Sequence, residues 1–260
     1  MQKLLSRVQE ANSLLCVGLD PTGDDAQVER RLAEVIEQTA EYAAAFKPNL
    51  AFFLSRENGV PLLRDTIRRI PESIPVILDG KFGDIASTAE HYARFAYDVV
   101  GADAVTVNPY MGDDAVRPFV REGKLAFVLT KTSNKSKYSM QDMALTRGGS
   151  LADGVARVAG KLNTELGGGI GLVVGATHPA SLAHIRSLSP NEWFLVPGVG
   201  AQGGDLAATL RAGLRADGSG LLINTSRVIW QAADASAAAR ELRDQINQLR
   251  PALVSQSSQG

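Results

Sequence analysis

Short runs of Val, Ile, Leu and other apolar residues recur along the chain, separated by stretches in which Ala, Glu and Arg dominate. The apolar runs are Leu14 to Asp20, Ala45 to Phe53, Pro75 to Lys81, Ala102 to Pro109, Leu125 to Thr132, Ile170 to Ala176, Trp193 to Gly198 and Gly220 to Ser226. Most are continuously apolar rather than alternating, the pattern of strands buried on both faces. The stretches between them, 27–44, 59–70, 87–100, 113–121, 150–166, 179–188, 205–214 and 233–249, have helical character. Strict alternation of this kind calls for parallel strands joined by helical crossovers. Eight such units in 260 residues is the size of an α/β (β/α)8 TIM barrel. A doubly wound sheet is the alternative, but it rarely needs so many regular units in this length. No linker or composition shift divides the chain, so a single barrel domain is expected over 1–250. Residues 251–260, ending in Ser, Gln and Gly, read as a disordered tail.

Composition narrows the chemistry. The apolar fraction of 45% suits a sizeable core, and 27 Lys+Arg against 28 Asp+Glu leave a net charge of −1. That balance argues against bulk electrostatic binding to nucleic acid or to an anionic membrane. The single cysteine, Cys16, allows no intrachain disulfide and suits a reducing, cytoplasmic compartment. Three scattered histidines, His91, His178 and His184, do not make a His-rich zinc site. No apolar run reaches the roughly 18 residues of a membrane span. The charged, amphipathic start, Met1 to Arg7, lacks the apolar core of a signal peptide.

A barrel keeps its chemistry at the C-terminal ends of its strands and in the loops that follow. Those ends are polar here: Asp20; Lys47-Pro48-Asn49; Asp79-Gly80-Lys81-Phe82-Gly83-Asp84; Asn108-Pro109-Tyr110; Thr130 to Asn134; Pro197 to Gly204; and Asn224 to Arg227. Such groups are costly to bury without partners or a ligand. Asp79 and Lys81 are two apart on a strand and should share a face. With Lys47 and Asp84 they suggest an alternating array of lysine and aspartate beside Asp20. Carboxylates hold neighbouring ammonium groups charged, which favours proton donation and electrostatic stabilisation over Schiff-base chemistry. The plainer alternative is a structural ion-pair network at the rim.

Pro197 to Gly204 offers backbone amides free of side-chain cover, and Ser226-Arg227 adds a hydroxyl and a cation. Loops after strands seven and eight often bind phosphate in barrels, and arginine offers a bidentate fork for it. The alternative is a pair of turns whose glycines serve only positive φ. Other features carry less. Gly167 to Gly171 reads as a helix stop and turn at the non-catalytic end. His91 reads as a surface or interface residue of a helix, Cys16 as core, and Trp193 and Trp230 as packing groups. The interval from strand five to strand six is about 45 residues against about 22 to 32 elsewhere, longer than a connection needs. The excess, Ser133 to Gly149, is a candidate lid or interface element.

The run Asp79-Gly80-Lys81-Phe82-Gly83-Asp84-Ile85-Ala86-Ser87-Thr88 resembles the Asp-x-Lys-x-x-Asp-Ile-x-x-Thr signature of the orotidine 5′-phosphate decarboxylase family. Gly18-Leu19-Asp20, Phe46 to Asn49, Thr130 to Asn134, Pro197 to Asp205 and Asn224 to Arg227 agree with it in order, and the chain is similar to the longer bacterial branch. The resemblance implies decarboxylation of orotidine 5′-phosphate to uridine 5′-phosphate and CO2 in de novo pyrimidine synthesis, without metal or organic cofactor. It implies that Lys81 protonates C6 while Asp79 faces the substrate carboxylate and orients Lys81. Lys47 and Asp20 would hold the ribose, and Asp84 and Thr88 would be supplied across a homodimer interface. Ser133 or Thr132 would contact the pyrimidine, Gln202 and Arg227 would bind the phosphate with backbone amides beside them, and Pro197 would be a further substrate contact.

Rival readings are a Mg2+-dependent sugar-phosphate decarboxylase or aldolase of the same superfamily, a Schiff-base aldolase using Lys81, and a non-catalytic phosphate-ligand binder. The intact lysine–aspartate set weighs against the last, because a binder has no need of a proton-donating lysine among carboxylates.

Overall fold

Each apolar run contains one strand. In chain order the elements are α1 (Gln2–Glu10), β1 (Leu15–Leu19), α2 (Asp25–Thr39), β2 (Ala45–Pro48), α3 (Leu50–Leu54), α4 (Gly59–Arg69), β3 (Ile77–Phe82), α5 (Ala86–Arg94) and β4 (Ala104–Val107). They continue with β5 (Leu125–Lys131), α6 (Leu151–Glu165), β6 (Ile170–Val174), α7 (Pro179–Leu188), β7 (Phe194–Pro197), α8 (Leu206–Gly213), β8 (Leu221–Thr225), α9 (Arg227–Trp230) and α10 (Ala235–Ser257). The structure is a computed structural model and describes residues 1–200 and 203–257, without the side chains at 135, 137 and 251–257.

All eight strands are parallel, in the order β2-β1-β8-β7-β6-β5-β4-β3. The bridges Phe46↔Val76 and Asn49↔Asp79 bring β2 against β3 and close the sheet into a (β/α)8 TIM barrel. The register aligns Gly18 with Lys47, Cys16 with Asn224, and Thr106 with Phe127. Side chains aligned in this way share the interior of the barrel. Small residues make room for large ones there. A Cβ at Gly171 would stand 2.7 Å from the Phe127 ring. Polar side chains cap several helices from the loops at the C-terminal end of the strands: Asp24 for α2, Asn49 for α3, Ser150 for α6 and Asp205 for α8 each accept a backbone amide. Ser150 and Asp153 form a reciprocal capping box.

Five elements differ from the sequence reading. The strand expected to run to Phe53 stops at Pro48, because Asn49 accepts the Ala51 amide at 3.3 Å and starts α3. The helix expected over 113–121 shrinks to a 3₁₀ turn, Arg117–Phe119. Pro118 supplies no amide there, and Gly123 at φ +74° turns the chain toward β5. The helix expected over 87–100 ends at Arg94 and passes into a π turn, Phe95–Val99. The charged N-terminal start is itself helical, as α1. Leu4 and Val8 are buried, Lys3 Nζ donates to Asp103 at 2.7 Å, and Arg7 donates to the Ala40 and Ala43 carbonyls. α10 continues past the end expected at Leu249, and residues 258–260 lie outside the described residues.

The other packing assignments hold. Cys16 is buried in β1, Trp193 and Trp230 are buried, and the glycines from 167 take positive φ immediately after α6. No helix among the described residues is long and apolar enough to cross a membrane.

Candidate active site

Polar side chains gather at the C-terminal mouth of the barrel. β2 delivers Lys47 and β3 delivers Asp79, both buried. Lys47 Nζ donates to Asp79 Oδ2 at 2.8 Å, and Lys81 Nζ donates to Asp79 Oδ1 at 2.7 Å. Only 6% of the Lys47 side chain and 9% of the Asp79 side chain are exposed, against 51% for Lys81. One end of the chain of charges is therefore anchored in the barrel, and the other presents an ammonium at the open mouth.

The electrostatics follow from that burial. Burial alone would raise the Asp79 carboxyl, but the ammonium groups of Lys47 and Lys81 outweigh it and hold the group well below the usual carboxylate range. Burial would likewise lower Lys47, but the charges of Asp79 and then Asp20 raise it instead. Both groups are thus held ionised. Beneath them, burial pushes the Cys16 thiol up to about 12 against the pull of Lys47, so it is not a thiolate.

Lys81 reaches its position through a break in the strand. β3 pairs with β4 at Ile77↔Ala104 and Leu78↔Val105, then only again at Phe82↔Val107. The intervening residues bulge, and Lys81 takes a left-handed backbone at φ +47°. Gly80 is required beside it, since a Cβ there would stand 2.4 Å from the Phe82 ring. The Lys81 amide donates to Thr106 Oγ1 at 2.9 Å, and that hydroxyl donates to Asp79 Oδ1 at 2.7 Å.

Of the expected array, the structure joins Lys47, Asp79 and Lys81. Asp84 stands apart from them and accepts the Ile85 amide at 2.8 Å. Thr88 follows on α5, half-buried. Asp20 Oδ1, Asn224 Oδ1 and Ser226 Oγ are buried without a hydrogen-bond partner among the described residues. Such groups suit a polar ligand, because an unmet buried acceptor is costly.

On the other side of the mouth, Pro197 and Asn224 align across β7 and β8, so the loops after both strands leave together. After Pro197 the chain folds on itself, with the Gly204 amide donating to Gly198 O at 3.1 Å and the Gly203 amide to Gly200 O at 2.8 Å. Gly198, Gly200 and Gly203 all have positive φ. Ser226 abuts Gly18, whose Cβ would stand 2.7 Å from that of Ser226. Arg227 opens α9 and is exposed. Gln202 lies outside the described residues.

The long segment after β5 turns back onto the barrel. Lys131 pairs with Asp142, Gln141 Oε1 accepts the Thr132 amide at 2.9 Å, and Gln141 Nε2 donates to Thr132 Oγ1 at 2.7 Å. Tyr138 Oη lies 2.9 Å from His178 Nε2, joining this segment to the start of α7. Ser133 packs on Gly175, where a Cβ would stand 2.8 Å from the Ser133 amide. Thr106 escaped the sequence reading, and Asn224 entered it only as part of a polar strand end with no role of its own. The signal for both was a polar residue inside an apolar run, at a position that strand register turns inward. Among the described residues, no three of His, Cys, Asp or Glu are grouped so as to hold a metal ion.

Fold and site define the class, a (β/α)8 barrel enzyme with a lysine–carboxylate centre at the catalytic end of its strands. The chain belongs to the orotidine 5′-phosphate decarboxylase / HUMPS family, whose model matches residues 13–242. A Roseiflexus castenholzii protein named orotidine 5′-phosphate decarboxylase is 44% identical over 253 residues, covering 90% of this chain and 92% of its own. The structure of Leishmania donovani OMP decarboxylase superposes with a TM-score of 0.89 at 47% identity, covering 96% of this chain and 97% of that one. That of Leishmania donovani UMP synthase superposes at 0.91 with 49% identity over 95% of this chain, which spans 56% of the synthase.

Proposed function

We propose that this chain decarboxylates orotidine 5′-phosphate to uridine 5′-phosphate and CO2, in pyrimidine nucleotide synthesis, without metal or organic cofactor. The observation that carries the reading is the Lys81 ammonium, exposed at the barrel mouth 2.7 Å from a buried Asp79 carboxylate, in a member of this family. As the bond from C6 to the carboxylate breaks, its electron pair stays on C6. Lys81 stabilises that charge and delivers a proton to the same atom, leaving a neutral amine that solvent reprotonates. Asp79 faces the substrate carboxylate and orients Lys81. Asp79, held ionised through its other oxygen by Lys47, offers the Lys81 ammonium a fixed acceptor.

Asp20 and Lys47 hold the ribose, a role suited to the unmet acceptor on Asp20. Gln202 and Arg227 bind the phosphate with the glycine-rich loop, Pro197 before that loop contacts the substrate, and binding energy spent there organises the reacting end. The Thr132 hydroxyl is engaged by Gln141 and Asn134, which favours Ser133 as the pyrimidine contact. A homodimer supplies Asp84 and Thr88 to the neighbouring site. Exposed Ile85, Tyr92, Tyr110 and Met111, on neighbouring elements around those residues, suit such an interface. The compartment is cytoplasmic, in keeping with one buried free cysteine.

The test follows loss of orotidine 5′-phosphate absorbance in excess EDTA, for the wild type and Lys81→Ala. Wild-type turnover is expected to survive EDTA, and Lys81→Ala to lose it while keeping the native circular dichroism spectrum. A requirement for added Mg2+, borohydride trapping of substrate on Lys81, or substantial turnover by Lys81→Ala would overturn the reading.

A further inference from the structure

We infer that Thr106 on β4 is a positioning residue for Lys81: its hydroxyl fixes both the strained backbone from which the lysine springs and the carboxylate that receives the ammonium. The inference rests on the decarboxylase reading above.

The bulge in β3 takes the Lys81 amide out of the β3–β4 ladder. A half-buried amide must find another acceptor, and a hydroxyl on the neighbouring strand provides one at 2.9 Å. A threonine hydroxyl has a single hydrogen, and here it goes to Asp79 Oδ1 at 2.7 Å. The Lys81 amide therefore binds a lone pair of an oxygen whose direction is already set. Asp79 Oδ1 also receives Lys81 Nζ at 2.7 Å. A closed ring results, running from Asp79 Oδ1 to Lys81 Nζ, down the lysine to its own amide, through Thr106 Oγ1 and back to the same oxygen. Lys81 is thus held at the root and at the tip, although half its side chain is exposed.

Two further features confine that ring. Thr106 is buried, so water does not compete for its hydroxyl. A left-handed non-glycine residue such as Lys81 persists only where its surroundings over-determine it. Thr106 and Gly80 are the groups that do so here. Without the hydroxyl, the Lys81 amide loses its acceptor and Asp79 Oδ1 loses one of two donors, while Lys47 still holds Oδ2. The buried end of the charge chain should stay in place and its catalytic end should loosen. A proton donor misplaced by about an ångström costs rate on the order of 100-fold, with ground-state binding through remote contacts largely kept.

The test compares Thr106→Val, which keeps shape and loses the hydroxyl, with Thr106→Ser, which keeps the hydroxyl. In the decarboxylation assay Thr106→Val is expected to lower kcat roughly 10- to 100-fold with KM for orotidine 5′-phosphate within about threefold, and Thr106→Ser to stay within about threefold in both. Unchanged kcat in Thr106→Val, a loss confined to KM, or equal losses in both variants would overturn the inference. Crystal structures of the two variants test the geometry without any assay. Lys81 should leave its left-handed backbone or its contact with Asp79 in Thr106→Val and keep both in Thr106→Ser. An unmoved Lys81 in Thr106→Val refutes the inference even if the wild type fails to consume orotidine 5′-phosphate, a failure that would count against the decarboxylase reading alone. Should Thr106→Val not fold, a tenfold loss of kcat in Thr106→Ser would still refute it.

Discussion

Asp79→Asn probes the buried half of the charge chain. The substitution keeps the shape of the side chain and removes the charge that Lys47 meets at 2.8 Å. Lys47 is then a buried ammonium facing an amide, with the Asp20 charge as the main group left to favour it. Removing one partner of a buried pair costs about 3–5 kcal/mol, because the other charge is left uncompensated. At roughly 2.1 cal/mol/K of unfolding entropy per residue, a chain of 260 residues loses about 2 °C of Tm per kcal/mol. Asp79→Asn should therefore melt about 6–10 °C below the wild type. Lys81→Met removes the other ammonium from the same carboxylate, but from the exposed end. Its pair is worth about 1 kcal/mol or less, so its Tm should fall by no more than about 2 °C. Thermal melts by circular dichroism at near-neutral pH, with urea titrations to check two-state behaviour, measure both. The reasoning fails if Asp79→Asn melts within about 2 °C of the wild type. It also fails if Lys81→Met is destabilised as much as Asp79→Asn.

Stability against pH should carry the same signature. The folded Asp79 carboxyl lies below its unfolded value, so its stabilisation is complete above about pH 4 and is lost as pH falls toward the folded value. The wild type should lose an acid-side increment that Asp79→Asn lacks; parallel stability curves for the two below pH ~4 would contradict this. Arg227→Ala should raise KM for orotidine 5′-phosphate about 10- to 100-fold, the worth of a charged hydrogen bond to phosphate, and unchanged kinetics would remove Arg227 from the phosphate site. Cys16, buried and with its thiol pushed up to about 12, should resist a disulfide reagent in the native protein and react stoichiometrically in urea; fast native labelling would disprove its burial.

The barrel was legible because it is encoded locally. Continuous apolar runs mark strands buried on both faces, and their regular spacing marks the crossovers. One helix start that the reading missed follows a single capping event, Asn49 turning a predicted strand into α3. Lys81 and Asp79 were found for a reason that is only partly right. Two residues apart on an ideal strand share a face, yet these two meet across a bulge, with Lys81 in a left-handed turn. Strand periodicity named the pair, and the departure from it sets the contact distance. The amide it frees is met by Thr106, on a strand whose start is 27 residues after that of β3 in the chain, and a lone polar residue in an apolar run does not say which neighbour it serves. Asn224 was visible as a polar strand end, but its buried, unmet oxygen shows only in the folded β8. Charged side chains at strand ends stand out in a sequence because burying them is costly. The neutral hydroxyls and amides that aim them stand out only once the register between strands is known, and that register places Thr106 beside Lys81.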